Sequence, residues 1–189
     1  MAGVGYGSTA VDWGNFCGDL FIEYYVRNIT YEKLKGKVEI DESLFGRRTK
    51  YHRGDPRWLK VWIVGLVERD TNRLKLFPGD SREADTLIPI IRDNVQLGAR
   101  ITTDWCAAYN PLARCGYTHY VGETTFSCQC RNVTTNEIIT VHTNRIEGAW
   151  KHAKEYFRRM NRTKITQFEY HLCELMWRWW AVDHEPLEY

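Results

Sequence analysis

The sequence has no long hydrophobic run: its longest apolar stretch, Val61-Trp-Ile-Val-Gly-Leu-Val67, is of strand length, far below the roughly 18 to 20 residues that a bilayer-spanning helix needs. A membrane protein is therefore not expected. Proline is scarce, 5 in 189 residues, which excludes collagen-like and Pro-rich disordered chains. A secretory leader is also missing from the pattern, because residues 1–10 contain no Lys or Arg and no apolar core; the cytosol or nucleus is expected. The 6 cysteines (Cys17, Cys106, Cys115, Cys128, Cys130, Cys173) are scattered, unlike a secreted disulfide framework, and reduced thiols are expected. Three N-x-T sequons, at Asn28, Asn132 and Asn161, then read as coincidence.

What is present describes a folded protein of ordinary type: 43% hydrophobic, 26% charged, mean hydropathy −0.50, with 8 Trp, 11 Tyr and 7 Phe. The length favours one compact domain that buries its core without staples. Net charge is only +2, but its distribution is uneven. Residues 46–60 carry Arg47, Arg48, Lys50, Arg53, Arg57 and Lys60 against Asp55 alone. Residues 144–164 carry Arg145, Lys151, Lys154, Arg158, Arg159, Arg162 and Lys164 against Glu147 and Glu155. Two basic stretches on an otherwise acidic chain fit a polyanion footprint, with Tyr51, His52, Trp58 and Trp150 as stacking partners. Taken singly, each stretch equally fits a solvated charged face.

The apolar pattern predicts a helix over 9–27, weakened by Gly14 and Gly18, a strand over 37–41, a buried strand over 58–68 and its hairpin partner over 73–77. Ser81 reads as the N-cap of a helix that Gly98 stops. A strand over 100–104, a short helix over 105–112, a strand over 117–121 and helices over 144–161 and 165–180 follow, while 122–140 gives no clear pattern. This order suits an α/β fold, a mixed sheet flanked by helices.

Asp41 and Asp104 then stand at strand ends, where ligands of open α/β sheets usually sit, and Glu147 stands in the first turn of the penultimate helix. Three carboxylates held together repel one another and need a hard divalent cation. Such a centre suits phosphoryl chemistry. Lys151 and Lys154, 4 and 7 residues after Glu147, share its helical face and suit a phosphate backbone. Each acid also has an ordinary role open to it: Asp41 in a turn, Asp104 as an N-cap, Glu147 in a capping box with Asn144 or paired with Lys151.

Three blocks in order, Val38-Glu-Ile-Asp-Glu-Ser-Leu-Phe-Gly46 with Lys50-Tyr-His-Arg-Gly54, Thr102-Thr-Asp-Trp-Cys-Ala-Ala-Tyr109, and His142-Thr-Asn-Arg-Ile-Glu-Gly-Ala-Trp-Lys-His-Ala-Lys154, resemble the catalytic domain of Merlin-type transposases, relatives of bacterial insertion-sequence transposases. The resemblance spans residues 11–180. It implies a ribonuclease-H-like, DDE integrase-type fold over 37–182, preceded by a helical remnant of a DNA-binding module over 1–36 and followed by a tail over 183–189. By the same resemblance Asp41, Asp104 and Glu147 are the catalytic, metal-binding triad, with Mg²⁺ or Mn²⁺ as cofactor, and Asn144 is an accessory neighbour. Arg47, Arg48, Lys50, His52, Arg53, Lys151, Lys154 and Arg158 are expected to contact DNA.

Metal-dependent phosphodiester hydrolysis and 3′-OH transesterification on double-stranded DNA, by a homo-oligomer in the nucleus or, in a bacterium, the cytoplasm, are implied in turn. Family members usually begin with a zinc-binding module and a helix-turn-helix region, of which 9–27 resembles only the tail. The Phe126-Ser-Cys-Gln-Cys-Arg-Asn-Val133 stretch also departs from the family's His- and Asp-containing loop, and its Cys128-x-Cys130 has the wrong spacing for common structural zinc sites, so a loop with two free thiols is expected. Two other readings stand beside the enzyme: an inactive or host-recruited DNA-binding remnant, and a nuclease acting on RNA–DNA hybrids.

Overall fold

The computed structural model describes residues 6–29, 32–45, 61–122, 128–141, 144–160 and 167–184. In chain order they form α1 (Tyr6–Tyr24), which runs into a π-helical turn Tyr25–Ile29; β1 (Lys37–Phe45); β2 (Val61–Glu68); β3 (Leu74–Gly79); α2 (Ala84–Asn94); β4 (Arg100–Thr103); a 3-10 helix Ala107–Ala113; β5 (Thr118–Val121); β6 (Cys128–Asn132); β7 (Ile138–Val141); α3 (Asn144–Arg159); and α4 (Phe168–His184). They fall into two compact units, Lys33–Asn161 and the segments 1–32 with 162–189. Among them no helix is long and apolar enough to cross a membrane.

The larger unit is built on a seven-stranded mixed sheet in the order β3-β2-β1-β4-β5-β6-β7. The hairpins pair antiparallel, whereas β1, β4 and β5 run parallel. Successive strand residues point to opposite faces, and here the two faces carry different helices. Val38, Ile40, Val64, Leu66 and Ile101 meet Leu87 and Ile91 of α2 and Tyr109 and Leu112 of the 3-10 helix in one buried cluster. Glu39, Asp41, Gly65 and Phe45, on the alternate positions, meet α3 instead.

Gly65 is what lets α3 lie close to the sheet: a Cβ there would stand 2.7 Å from two ring carbons of Trp150 and 2.9 Å from Ile146 Cδ1. The first turn of α3 is fastened as well. The Ile146 amide donates to Glu39 Oε2 at 3.0 Å, and Arg145 Nη1 donates to Asn72 Oδ1 at 3.2 Å. A carboxylate from the sheet thus takes up one of the orphan amides of the helix start, where negative charge is favoured.

Several sequence expectations shift. β1 runs to Phe45, so Asp41 lies inside a strand and not in a turn at its end. α2 begins at Ala84, because the Ser81 hydroxyl is taken by the Glu83 amide at 3.2 Å and the Thr86 hydroxyl at 2.9 Å before the helix starts. The unpatterned segment after Gly122 contains the hairpin β6–β7, whose turn is closed by Asn132 Oδ1 accepting from the Thr134 and Thr135 amides at 2.8 and 2.9 Å, with Asn136 at φ 59°. Cys128 and Cys130 therefore lie in a strand, not a loop, and Cys130 is buried.

In the smaller unit α1 packs on α4 through tilted ring pairs, Phe21 with Trp177 at 5.3 Å and Tyr24 with Trp180 at 5.7 Å. Gly18, a weak helix former, is a contact point here: a Cβ would stand 2.6 Å from Tyr170.

Candidate active site at the end of the parallel strands

The β1–β4 ladder stops at Glu39–Thr102, and β4 itself ends at Thr103. Asp41 and Asp104 therefore meet just beyond the last shared rung, where two parallel strands part. Ligand atoms of Asp41, Glu42 and Asp104 all lie within 4.8 Å of one another. Asp104 is aimed by its Oδ1, which accepts the Cys106 amide at 3.0 Å and tightens the turn into the 3-10 helix. Its ordinary turn-forming role and its place in the cluster coexist.

Asp41 is gripped at both oxygens: Oδ1 accepts the Glu42 amide at 2.8 Å, and Oδ2 accepts the Trp150 indole N–H at 3.0 Å. Each oxygen keeps a lone pair for a cation. Burial pushes the Asp41 carboxyl above its ordinary pKa, against the pull of these two donors, and the neighbouring Asp104 charge adds to the rise. Glu42 is also raised, chiefly by burial, with Arg82 and the Tyr109 hydroxyl opposing and Asp104 and Asp41 adding. Buried like charges this close call for a counter-ion.

Glu147 stands in the first turn of α3, exposed, one turn before Trp150. It is not among the carboxylates that the cluster brings together. Lys151, Lys154 and Arg158 follow it on the exposed side of α3, at spacings of 4, 7 and 11 residues, while Ile146, Ala149, Trp150 and Ala153 are buried. One face of the helix thus packs on the sheet and the other presents a carboxylate followed by three cations. Asn144 opens the helix. Arg47, Arg48, Lys50, His52 and Arg53 lie outside the described residues.

Sequence reasoning missed Glu42 and Glu39, and its reading of Trp150 as a stacking partner for a polyanion is corrected: the ring is buried over Gly65 and its N–H is taken by Asp41. Strand alternation puts Glu42 on the face opposite Asp41; they meet because Asp41 folds back onto the Glu42 amide. Glu39 carried the legible signal, an acid at a strand position otherwise flanked by Val38 and Ile40, and it is 1% exposed, paired with Arg69 at 3.2 Å and hydrogen-bonded to α3. Burial is the largest influence on its carboxyl and raises its pKa.

Behind the cluster, His119 is buried, with Nε2 2.9 Å from the Thr103 hydroxyl, which in turn donates to the Asp104 carbonyl at 2.9 Å. The hydroxyl has one proton, so Nε2 is the donor to it, and the imidazole is neutral. Burial lowers the His119 pKa to about 4 from 6.5. The unfolded chain binds this proton at the higher pH, so the stability contribution is full above about 6.5 and lost as pH falls to about 4, a change of roughly 3 kcal/mol. Urea unfolding at steps between pH 7.5 and 4.5 is expected to show this slope in the wild type and a flatter one in His119→Gln; identical slopes would remove His119 as the cause.

Comparison with known proteins gives a concordant result. A family model described as an ISXO2-like transposase domain matches residues 33–179. An uncharacterized transposase-like protein of Haemophilus influenzae is 28% identical over 97 residues, covering 51% of this chain and 72% of that protein. Among solved structures, a chain of the simian T-cell lymphotropic virus intasome in complex with PP2A regulatory subunit B56 gamma superposes with a TM-score of 0.50 at 12% identity, over 83% of this chain and 57% of that one. A chain of the pre-cleavage Mos1 transpososome gives a TM-score of 0.32 at 14% identity, over 92% and 62%. This chain thus spans less than two thirds of either solved chain. The intasome likeness shows the fold, a ribonuclease-H-like mixed sheet with flanking helices.

Proposed function

The chain belongs to the ISXO2-like transposase domain family, and we propose that it is the metal-dependent strand-cutting and strand-joining domain of a DNA transposase. The observation that carries this reading is the meeting of Asp41 and Asp104 with Glu42 where the parallel strands part. The donor set fits a hard cation: only carboxylate oxygens, two of them buried and, among the described residues, without a well-aligned hydrogen-bond donor. Asp41 and Asp104, with Glu147 on α3, would hold Mg²⁺ or Mn²⁺. Bound there, the divalent metal would supply Lewis-acid chemistry for activating a water or a 3′-hydroxyl and for stabilising the leaving oxygen of a phosphodiester.

The chain's own residues then have distinct tasks. The Cys106 amide and the Trp150 indole fix the rotamers of Asp104 and Asp41. Glu39 of β1 and Gly65 of β2 seat α3 against the sheet, which sets where Glu147 can reach. Lys151, Lys154 and Arg158, exposed in line behind Glu147, neutralise backbone phosphates of duplex DNA and hold the scissile strand in register. Hydrolysis frees a 3′ end on the element, and that end attacks the target phosphodiester; a homo-oligomer brings two element ends together.

Purified protein with Mn²⁺ is expected to convert supercoiled plasmid to open circles and to join a labelled oligonucleotide with a free 3′-hydroxyl to plasmid. Salt-sensitive duplex binding without either product would overturn the enzymatic reading in favour of an inactive DNA-binding domain. Cutting confined to RNA–DNA hybrids would replace it with a hybrid-specific nuclease.

A further inference from the structure

We propose that Glu42 is a ligand of a divalent cation held together with Asp41 and Asp104, so that the sheet edge loads its first ion without Glu147 and without DNA. The proposal deepens the transposase reading: it names a carboxylate that the proposed triad does not use and an order of assembly.

Glu42 has the signature of a missing partner. Its side chain is 0% exposed, yet among the described residues neither carboxylate oxygen has a well-aligned hydrogen-bond donor; Tyr109 and Arg82 stand beside it. The Tyr109 hydroxyl, also fully buried, faces it without a well-aligned hydrogen bond. The neighbouring cation, Arg82, keeps its Nε 3.6 Å from Oε1, and its guanidinium lies over the Trp62 ring, 4.8 Å from the centroid. A structural Arg–carboxylate pair is bidentate and near 2.8 Å. This one is neither.

A buried carboxylate with such poorly aligned donors is costly, and two further carboxylates within 4.8 Å add to the cost. An apolar side chain of similar volume would stabilise the metal-free fold better. A divalent cation removes the penalty, since it takes oxygens of all three groups at about 2.0 to 2.6 Å and offsets their repulsion. The geometry suits this sharing because Asp41, on the other face of β1, bends back over the Glu42 amide. Glu147, exposed and outside the cluster, is not needed for the first ion.

The test is calorimetric titration of the full chain with MnCl₂ in the absence of DNA, paired with melting curves with and without Mn²⁺. Glu42→Gln is expected to weaken Mn²⁺ binding by about tenfold or more, to melt no lower than the wild type without metal, and to lose most of the Mn²⁺-induced rise in Tm. Glu147→Gln is expected to stay within about twofold of wild-type affinity. Wild-type affinity in Glu42→Gln overturns the proposal, as does a loss in Glu147→Gln equal to that in Glu42→Gln. A metal-free Tm that drops in Glu42→Gln also overturns it, since that assigns the side chain to a structural pair with Arg82. Should Glu42→Gln not fold, Glu42→Asp, which keeps the charge and withdraws the oxygens by one methylene, is expected to show the same loss, and wild-type affinity there overturns the proposal equally. Glu42-dependent Mn²⁺ uptake by a protein that never cuts DNA leaves this site standing and removes only the proposed reaction; plasmid cutting with Mn²⁺ affinity indifferent to Glu42 does the reverse.

Discussion

Asp104→Asn is expected to lower Mn²⁺-dependent plasmid nicking by about three orders of magnitude or more, which corresponds to the several kcal/mol that a bound metal contributes to phosphoryl transfer. The fold should not suffer. Asparagine keeps an oxygen at the Oδ1 position, so the Cys106 amide retains its acceptor and the turn into the 3-10 helix is preserved. One negative charge also leaves a cluster in which ligand atoms of three carboxylates lie within 4.8 Å, so the metal-free Tm should be equal or slightly higher. Asp41→Asn is expected to give a similar loss of nicking, with the two effects far from additive because both groups act on the same ions. Nicking by Asp104→Asn within about tenfold of the wild type would rule out this cluster as the reaction centre. The paired Tm measurement separates that result from simple unfolding.

The central sheet and its two acids were legible because their signals are local. Alternation in Lys37-Val-Glu-Ile-Asp, the buried run before Glu68 and the strand ahead of Asp104 each write a strand in a few residues, and parallel topology then puts the two aspartates at one end. The resemblance to known transposases pointed to the same positions. Three other features depended on contacts that the apolar pattern does not encode. The length of β1 beyond Asp41 comes from its pairing with β2 as far as Phe45–Val61, with 15 residues between the two strands. The β6–β7 hairpin is held by the Asn132 side chain closing its own turn, which a pattern of polar residues does not reveal. Glu42 reads as an outward residue of a strand, and only the turned-back Asp41 carboxylate brings it into the cluster. Gly18 and Gly65, which read as weak points by propensity, are sites of close approach to Tyr170 and Trp150.

Trp150 joins the stability of the sheet–helix packing to the chemistry of the cluster, and its variants should separate the two. The indole is 6% exposed, lies over Gly65, packs against Phe45 at 5.9 Å and donates its N–H to Asp41. Trp150→Ala empties that space and is expected to cost about 3 to 5 kcal/mol in urea unfolding. Trp150→Phe keeps most of the ring volume and removes the donor, at a stability cost of about 1.5 to 3 kcal/mol for a hydrogen bond to a charged acceptor. Its larger effect should appear at Asp41, which loses one of the two donors that fix its rotamer. Mn²⁺ affinity and nicking are then expected to fall by about 10- to 100-fold, the usual range for removing a group that orients a metal ligand. Gly65→Ala probes the same contact from below: it should destabilise the wild type by about 1 to 3 kcal/mol through overpacking and cost much less in Trp150→Ala, where the ring it would strike is gone. Additive costs in that double variant would show that α3 is not seated through this contact. Unchanged Mn²⁺ affinity in a folded Trp150→Phe would confine the indole to packing, with Asp41 held by its own strand.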